Sequence, residues 1–326
     1  MRAIIPVAGV GTRLRPHTYS TPKVLLNVAG KPIISHIMDK LIEEDVDEAT
    51  IVVGHLGEMI ETYLREQYER VKLDFITQHE RLGLAHSIHV ARETFDNEPV
   101  LIILGDTIFD VNLAPVLSGK ASSLGVKYVE DPRRFGVAVK DGDIITKLVE
   151  KPDAPVSNLA LVGLYYIRNT QLLKDAIQDL IDRDIKTRGE YQLTDALQLM
   201  IERGEVFTTF DVEGWYDCGK PETVLATNRI LLEKAGNKAE IPGVVIRPPV
   251  YIDAGAHVEN AVIGPYVTVA AGAVVENSII RDSIVAENAS VRASLLDASL
   301  IGNNASVNGR FSRLNAGDST EIHIFS

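Results

Sequence analysis

Between Val7 and Arg13 the chain reads Val-Ala-Gly-Val-Gly-Thr-Arg, and Pro22-Lys23 follows after a polar stretch. Glycines carry no Cβ, so their N–H groups can approach phosphate oxygens, while an arginine and a lysine neutralise the charge on those oxygens. Ala8, Gly9, Gly11, Thr12 and Arg13, with Lys23, therefore form a candidate phosphate cradle. The Gly-x4-Gly-Lys-Ser/Thr spacing of a P-loop is absent, which argues against ordinary ATPase chemistry. Arg2, Arg13, Arg15, Lys23 and Lys31 all precede the first acidic residue, Asp39, and so read as a local anion site in a chain of net charge −12. Gln78 offers an amide that can pair with the edge of a base, and Gly83, opening the Gly-Leu-Ala-His run, permits close backbone approach. Asp106 in Leu104-Gly105-Asp106 adds a carboxylate.

These residues need a scaffold that brings them together. Arg2–Val7, Ala49–Val53, Leu73–Thr77 and Val100–Leu104 read as strands; Ile33–Glu44, Glu58–Glu66 and Leu84–Glu93 read as helices. The alternation predicts a parallel α/β sheet covered on both faces. In such sheets ligands bind outside the carboxyl ends of the strands, where Ala8–Arg13, Gly54, Gln78 and Asp106 all fall. Gly54 itself suggests no more than a turn. The middle of the chain, with strand-like runs at Ser123–Val129, Gly136–Val139, Ile144–Glu150 and Leu161–Ile167, reads as a partly antiparallel insertion for substrate binding. Helices over Thr170–Asp182, Gln192–Glu202 and Glu222–Glu233 and a strand over Val206–Val212 complete this part.

The run Gly-x-Gly-Thr-Arg-Leu-x-Pro followed by Pro-Lys resembles the signature of sugar-phosphate nucleotidyltransferases, and the variant Ile5–Arg13 is similar to that of bacterial glucose-1-phosphate uridylyltransferases. The resemblance implies a Rossmann-like, mostly parallel mixed sheet, with Arg13 gripping a triphosphate and Lys23 bridging the two reacting phosphates. It implies that Gln78 and Gly83 read the base, and Gly-Leu-Ala-His looks like the pyrimidine-using members. His86 reads as a packing or supporting residue. By the same resemblance Asp106, and Asp217 in Trp215-Tyr216-Asp217-Cys218-Gly219, would ligate Mg2+; Gly136, Glu150, Lys151 and Gly163 would hold the sugar phosphate. Thr194 and Asp195, before a helix, read mainly as caps. The expected substrates are a nucleoside triphosphate, UTP or dTTP favoured, and a sugar 1-phosphate, glucose 1-phosphate favoured. Mannose-1-phosphate guanylyl transfer is the alternative.

After Lys238 lysine disappears and small residues, valine and isoleucine dominate. Apolar residues recur every six positions, as from Ile263 to Val269 to Val275, and every sixteen, as from Val285 to Ile301. That period predicts short strands around a triangular solenoid, similar to the left-handed β-helix of hexapeptide acyltransferases. The domain reading is residues 1–235 catalytic, 236–249 linker and 250–326 β-helix. Acyl transfer is disfavoured because only His257 and His323 fall in that region, and a non-catalytic nucleotide-sugar sensor would be expected to lose a cation or metal ligand. Apolar solenoid surface needs caps or partners, so a homo-oligomer is expected, the alternative being a monomer in which Asn315–Ser326 folds over the end as a cap. The acidic balance argues against nucleic-acid partners. The lone Cys218 and the lack of a leader or membrane-length apolar span predict a cytoplasmic protein without membrane contact.

Overall fold

A computed structural model describes residues 1–235 and 240–309. The chain divides into two compact units, Met1–Thr227 and Asn228–Ser326.

The first unit is built on a nine-stranded mixed sheet. Its strands are β1 (Arg2–Pro6), β2 (Glu48–Val53), β3 (Lys72–Thr77), β4 (Val100–Ile103), β6 (Ser122–Tyr128), β7 (Gly136–Asp141), β8 (Ile144–Glu150), β9 (Leu159–Ile167) and β10 (Phe207–Asp211). Outside it, β5 (Thr107–Asp110) and β11 (Gly214–Asp217) form a two-stranded antiparallel ribbon. Sheet order is β3-β2-β1-β4-β9-β6-β10-β8-β7. The first four strands are mutually parallel, as their alternation with helices α1 (Ile33–Glu43), α2 (Gly57–Gln67) and α3 (Leu84–Val90) requires. β9 then pairs antiparallel with β4, β6 and β7, which makes the predicted insertion part of the same sheet.

Two apolar layers sandwich this sheet. One contains Ile4, Val52, Ile102, Ile88, Leu173 and Leu197, joining α3 with α4 (Thr170–Asp182) and α5 (Leu193–Glu202). The other contains Ile5, Ile51, Ile103, Ile37, Leu41 and Leu64 from α1, α2 and the opposite strand faces. Because successive strand residues point to opposite faces, Ile4 and Ile5 serve different layers, and the near-continuous apolar runs of β1 and β4 follow.

The order β3-β2-β1-β4 places the functional loops. Two crossovers carry the chain from β1 outward to β2 and β3, and the third returns it to β4 on the other side of β1. The chain thus reverses direction across the sheet between β1 and β4, which opens a crevice at their carboxyl ends. The glycine loop leaves β1 there and Asp106 leaves β4 there. At the other end of β1, about 16 Å away for a strand of this length, Arg2 is bound to Glu48 at 2.6 Å and to Asp74. Lys31 pairs with Asp39. The early cationic cluster is therefore divided, with Arg2 kept away from the anion site.

In the second unit three four-stranded parallel sheets stack rung on rung. Val245 pairs with Val262, Val262 with Ile279, and Ile279 with Leu295, so coils advance by 17 residues and later by 16. Ile263, Val269, Val275, Ile280, Val285 and Val291 fill the interior with no exposed surface. Asn260, Asn277 and Ala293 take positive φ at one recurring corner, where asparagine is well tolerated. This is the hexapeptide-type left-handed β-helix that the period predicts. Its first rung, Val245–Ile246, falls within the stretch read as linker. Residues 236–239, His323 and the tail Asn315–Ser326 lie outside the described residues.

Candidate active site

The loop after β1 begins as a continuation of the strand, with Val7 N–H donating to Val52 O at 2.8 Å. Gly11 takes φ +65, and its carbonyl accepts from Thr18 Oγ1 at 2.8 Å and from Leu14 N–H at 2.9 Å. The left-handed turn starts the short 3-10 helix Thr12–Leu14 and leaves Gly9, Thr12 and Arg13 exposed. A Cβ on Gly9 would meet nothing within 4 Å, so the backbone faces open space. Gly54, expected to serve only a turn, also packs against this loop: a Cβ there would lie 2.7 Å from Ala8 O.

Lys23 lies beneath the cradle. Its side chain is only 9% exposed, and its ammonium donates to Asp106 Oδ2 at 2.9 Å. Burial alone would raise the Asp106 carboxyl, but the charge and hydrogen bond of Lys23, a hydrogen bond from Thr107 and the charge of Arg13 outweigh it. The net pKa lies below the ordinary value, so Asp106 is a carboxylate at neutral pH.

The β5–β11 ribbon brings the second carboxylate to the first. Asp217 pairs with Thr107, next to Asp106, and Cys218 N–H donates to Asp106 O at 3.1 Å. A Cβ at Gly219 would sit 2.8 Å from Asp217 Oδ1 and 2.9 Å from Arg13 Nη2, so the carboxylate and the guanidinium both border the same gap. Arg13, Lys23, Asp106 and Asp217 thus come from four chain segments to one place. The sequence alone did not reveal the ribbon that unites them.

Gln78 follows β3 with its N–H bonded to Val53 O at 2.8 Å, and its side-chain amide nitrogen approaches Gly83 O at 3.3 Å and His86 Nδ1 at 3.0 Å. Gly83 has φ +115, and a Cβ on it would strike Tyr191 O at 2.5 Å, so only glycine fits. Tyr191 N–H bonds to Leu82 O at 2.8 Å, and Ala85 N–H to Tyr191 O at 2.9 Å. The base-reading candidates are thereby joined to the Arg188–Asp195 stretch.

Gly136 pairs with Glu150 across β7 and β8. Glu150 Oε1 lies 3.2 Å from Lys151 Nζ, and its Oε2 accepts from Thr194 Oγ1 at 2.7 Å. The capping role expected of Thr194 is therefore incorrect. Gln192 is the N-cap of α5 and makes no side-chain cap bond, while the Thr194 hydroxyl is given to Glu150. Asp195 Oδ2 is buried without a hydrogen-bond partner. Gly163 O accepts from Leu104 N–H at 2.9 Å, which sets β9 against the exit of β4 beside Asp106. Burial drives the Tyr165 phenol upward, and the charges of Glu150 and Asp106 add to this. Phe135 meets Trp215 edge-on with ring centroids 5.0 Å apart, connecting the Gly136 region to the ribbon.

The Nucleotidyl transferase family model matches residues 2–234. Among relatives, the low-salt glycan biosynthesis nucleotidyltransferase Agl11 of Haloferax volcanii is 35% identical over 72% of this chain and 66% of its own length. The UTP--glucose-1-phosphate uridylyltransferase AglF of the same organism is 34% identical over 68% of this chain and 93% of its own. A solved UDP-glucose pyrophosphorylase complexed with UDP-glucose aligns with a TM-score of 0.63 at 27% identity, covering 72% of this chain and 98% of that one. With the glycine loop and its cations held at the crevice of the matched sheet, the chain belongs to the nucleotidyl transferase family.

Proposed function

We propose that this chain transfers a nucleotidyl group from a nucleoside triphosphate, UTP or dTTP by preference, to a sugar 1-phosphate, glucose 1-phosphate by preference, releasing pyrophosphate. The observation that carries this reading is the meeting of Arg13, Lys23, Asp106 and Asp217 at the open glycine loop. Two polyanions must react, so their mutual repulsion is the main barrier, and a phosphate oxygen is already an anionic nucleophile that needs no side-chain base. Arg13 and Lys23 hold and neutralise the triphosphate, Gln78 and Gly83 hold the base, and Lys151 takes the sugar phosphate while Glu150 takes sugar hydroxyls. Catalysis is alignment plus charge stabilisation.

The donor set fits magnesium, a hard cation that prefers oxygen and keeps several waters. Asp106 and Asp217 supply carboxylate oxygens, and no cluster of three or more His, Cys, Asp or Glu able to hold a metal occurs among the described residues. The other ligands would then be phosphate oxygens and water. When bound, the ion would offset charge on the transferring phosphate. Pyrophosphate release from each triphosphate with glucose 1-phosphate and with mannose 1-phosphate tests the substrate assignment. GTP with mannose 1-phosphate as the preferred pair would replace it with the guanylyl alternative. Acyl transfer finds no support at His257, whose side chain is 59% exposed and faces Glu259 at 3.5 Å.

A cytoplasmic location is part of the proposal. The single cysteine, Cys218, is buried with no second cysteine to pair with, and no helix among the described residues is long and apolar enough to cross a membrane.

Self-association through the β-helix is proposed as well. Residues from Asn228 onward cover one face, through Thr268 Oγ1 to Asn228 Oδ1 at 2.7 Å and the Arg229–Asp282 pair. A second face carries charged groups such as Arg292 and Glu276, 2.9 Å apart. The third exposes a ladder in which Val245, Ile279 and Leu295 are 56%, 46% and 70% exposed. Replacing Ile279 and Leu295 by Glu should reduce the mass in light scattering to that of one chain while pyrophosphate release persists. An unchanged mass would show that this face is not the contact.

A further inference from the structure

We infer that His86 fixes which way the Gln78 amide faces, and that this favours a base presenting a ring N–H, as uracil, thymine and guanine do, over cytosine and adenine, which can meet it only with an exocyclic amino group. The inference rests on Gln78 facing the base, as in the proposed function. A carbonyl oxygen only accepts hydrogen bonds, so the amide atom 3.3 Å from Gly83 O must be nitrogen. The same nitrogen lies 3.0 Å from His86 Nδ1, which must then be the acceptor. Both partners demand one orientation, and together they occupy the two amide protons. What remains for a ligand is Oε1, an acceptor.

The environment keeps His86 in the form this arrangement needs. Burial lowers its pKa, partly opposed by the charge and backbone of Glu80, so the ring is neutral at neutral pH and Nδ1 keeps its lone pair. His89 stacks on it at 6.2 Å. An imidazolium would offer Nδ1–H instead and call for the opposite amide orientation, which Gly83 O forbids. Uracil and thymine place N3–H opposite an acceptor, and guanine places N1–H there. Cytosine N3 and adenine N1 bring a lone pair against Oε1, so these bases pair with it only through their exocyclic amino groups, in a shifted position. His86 is thus a positioning residue, since it acts through Gln78.

Calorimetric titration of the full chain with UTP, dTTP, GTP, CTP and ATP in magnesium buffer tests this without relying on turnover. UTP or dTTP should bind at least about tenfold tighter than CTP and ATP, in line with the discrimination of a site built to pair with a donor. His86→Leu should narrow that ratio to within about threefold, and His86→Gln, which can offer its own amide oxygen to Gln78, should restore most of it. Should leucine at 86 unfold the helix start, Gln78→Glu, which sets an oxygen against Gly83 O, should abolish the same preference. CTP binding as tightly as UTP in the wild type, or an unchanged ratio in a folded His86→Leu, would overturn the inference. The expected ratios without turnover on any sugar phosphate would count against the transfer reading and leave this one standing.

Discussion

Asp106→Asn and Asp217→Asn should each lower turnover at saturating magnesium by on the order of a hundredfold or more, since charge stabilisation at a metal is worth several kcal/mol. Either change removes one negative charge and keeps the shape of the side chain. The ribbon should survive both, because Asp217 pairs with Thr107 through the backbone, and Cys218 N–H reaches the main-chain oxygen of Asp106. Steady-state pyrophosphate release, with melting curves as the folding control, measures the effect. Near-normal turnover in both variants would remove the metal assignment. Loss in Asp106→Asn alone would leave Asp217 with a structural role.

Lys23→Met is the second large expected loss. The lysine stem packs under the glycine turn, where a Cβ on Gly11 would lie 3.1 Å from Lys23 Cβ, and methionine can preserve that packing. What disappears is the ammonium 2.9 Å from Asp106 Oδ2. Turnover should fall about a hundredfold or more, through lost stabilisation of charge on the transferring phosphate. Stability should fall far less, by about 1 kcal/mol at neutral pH, because the Asp106 side chain is 44% exposed and water screens the pair. The pH dependence follows from the Asp106 shift. A carboxyl whose folded-state pKa is depressed contributes stability above its unfolded pKa and loses it as pH falls through the folded value. Wild type and Lys23→Met should therefore differ in denaturant midpoint at neutral pH and converge in acid. A gap undiminished with Asp106 protonated would mean that the ion pair adds no stability and that methionine does not replace the packing of the lysine stem.

Much of this arrangement is legible in the sequence because it rests on local signals. The β-branched runs around β1, β2, β3 and β4 alternate with helical periods, Gly9, Gly11, Gln78 and Asp106 mark the strand exits, and Gly83 opens α3. The six-residue period of the C-terminal segment identifies its coils with no tertiary information. What escapes is set by contacts between segments distant in sequence. The β5–β11 ribbon joins two four-residue strands whose pairing leaves no periodic trace. Thr194 has the composition of a cap, and only the approach of β8 to α5 shows its hydroxyl on Glu150. Arg2 resembles Arg13 by sequence neighbourhood, yet the length of β1 and the partners Glu48 and Asp74 withdraw it from the anion site, while Lys31 pairs with Asp39. Gly54 carries no signal beyond that of a turn, although its missing side chain makes room for Ala8.

The central claim is that one site joins two phosphorylated substrates. Its most direct test is the dependence of pyrophosphate release on both of them, measured together with the nucleotide-linked sugar formed. The account predicts that UTP or dTTP alone releases almost no pyrophosphate, that adding glucose 1-phosphate starts release, and that pyrophosphate and nucleotide sugar appear in equal amounts. Release at the same rate without sugar phosphate, or consumption of triphosphate with no nucleotide sugar formed, would contradict it.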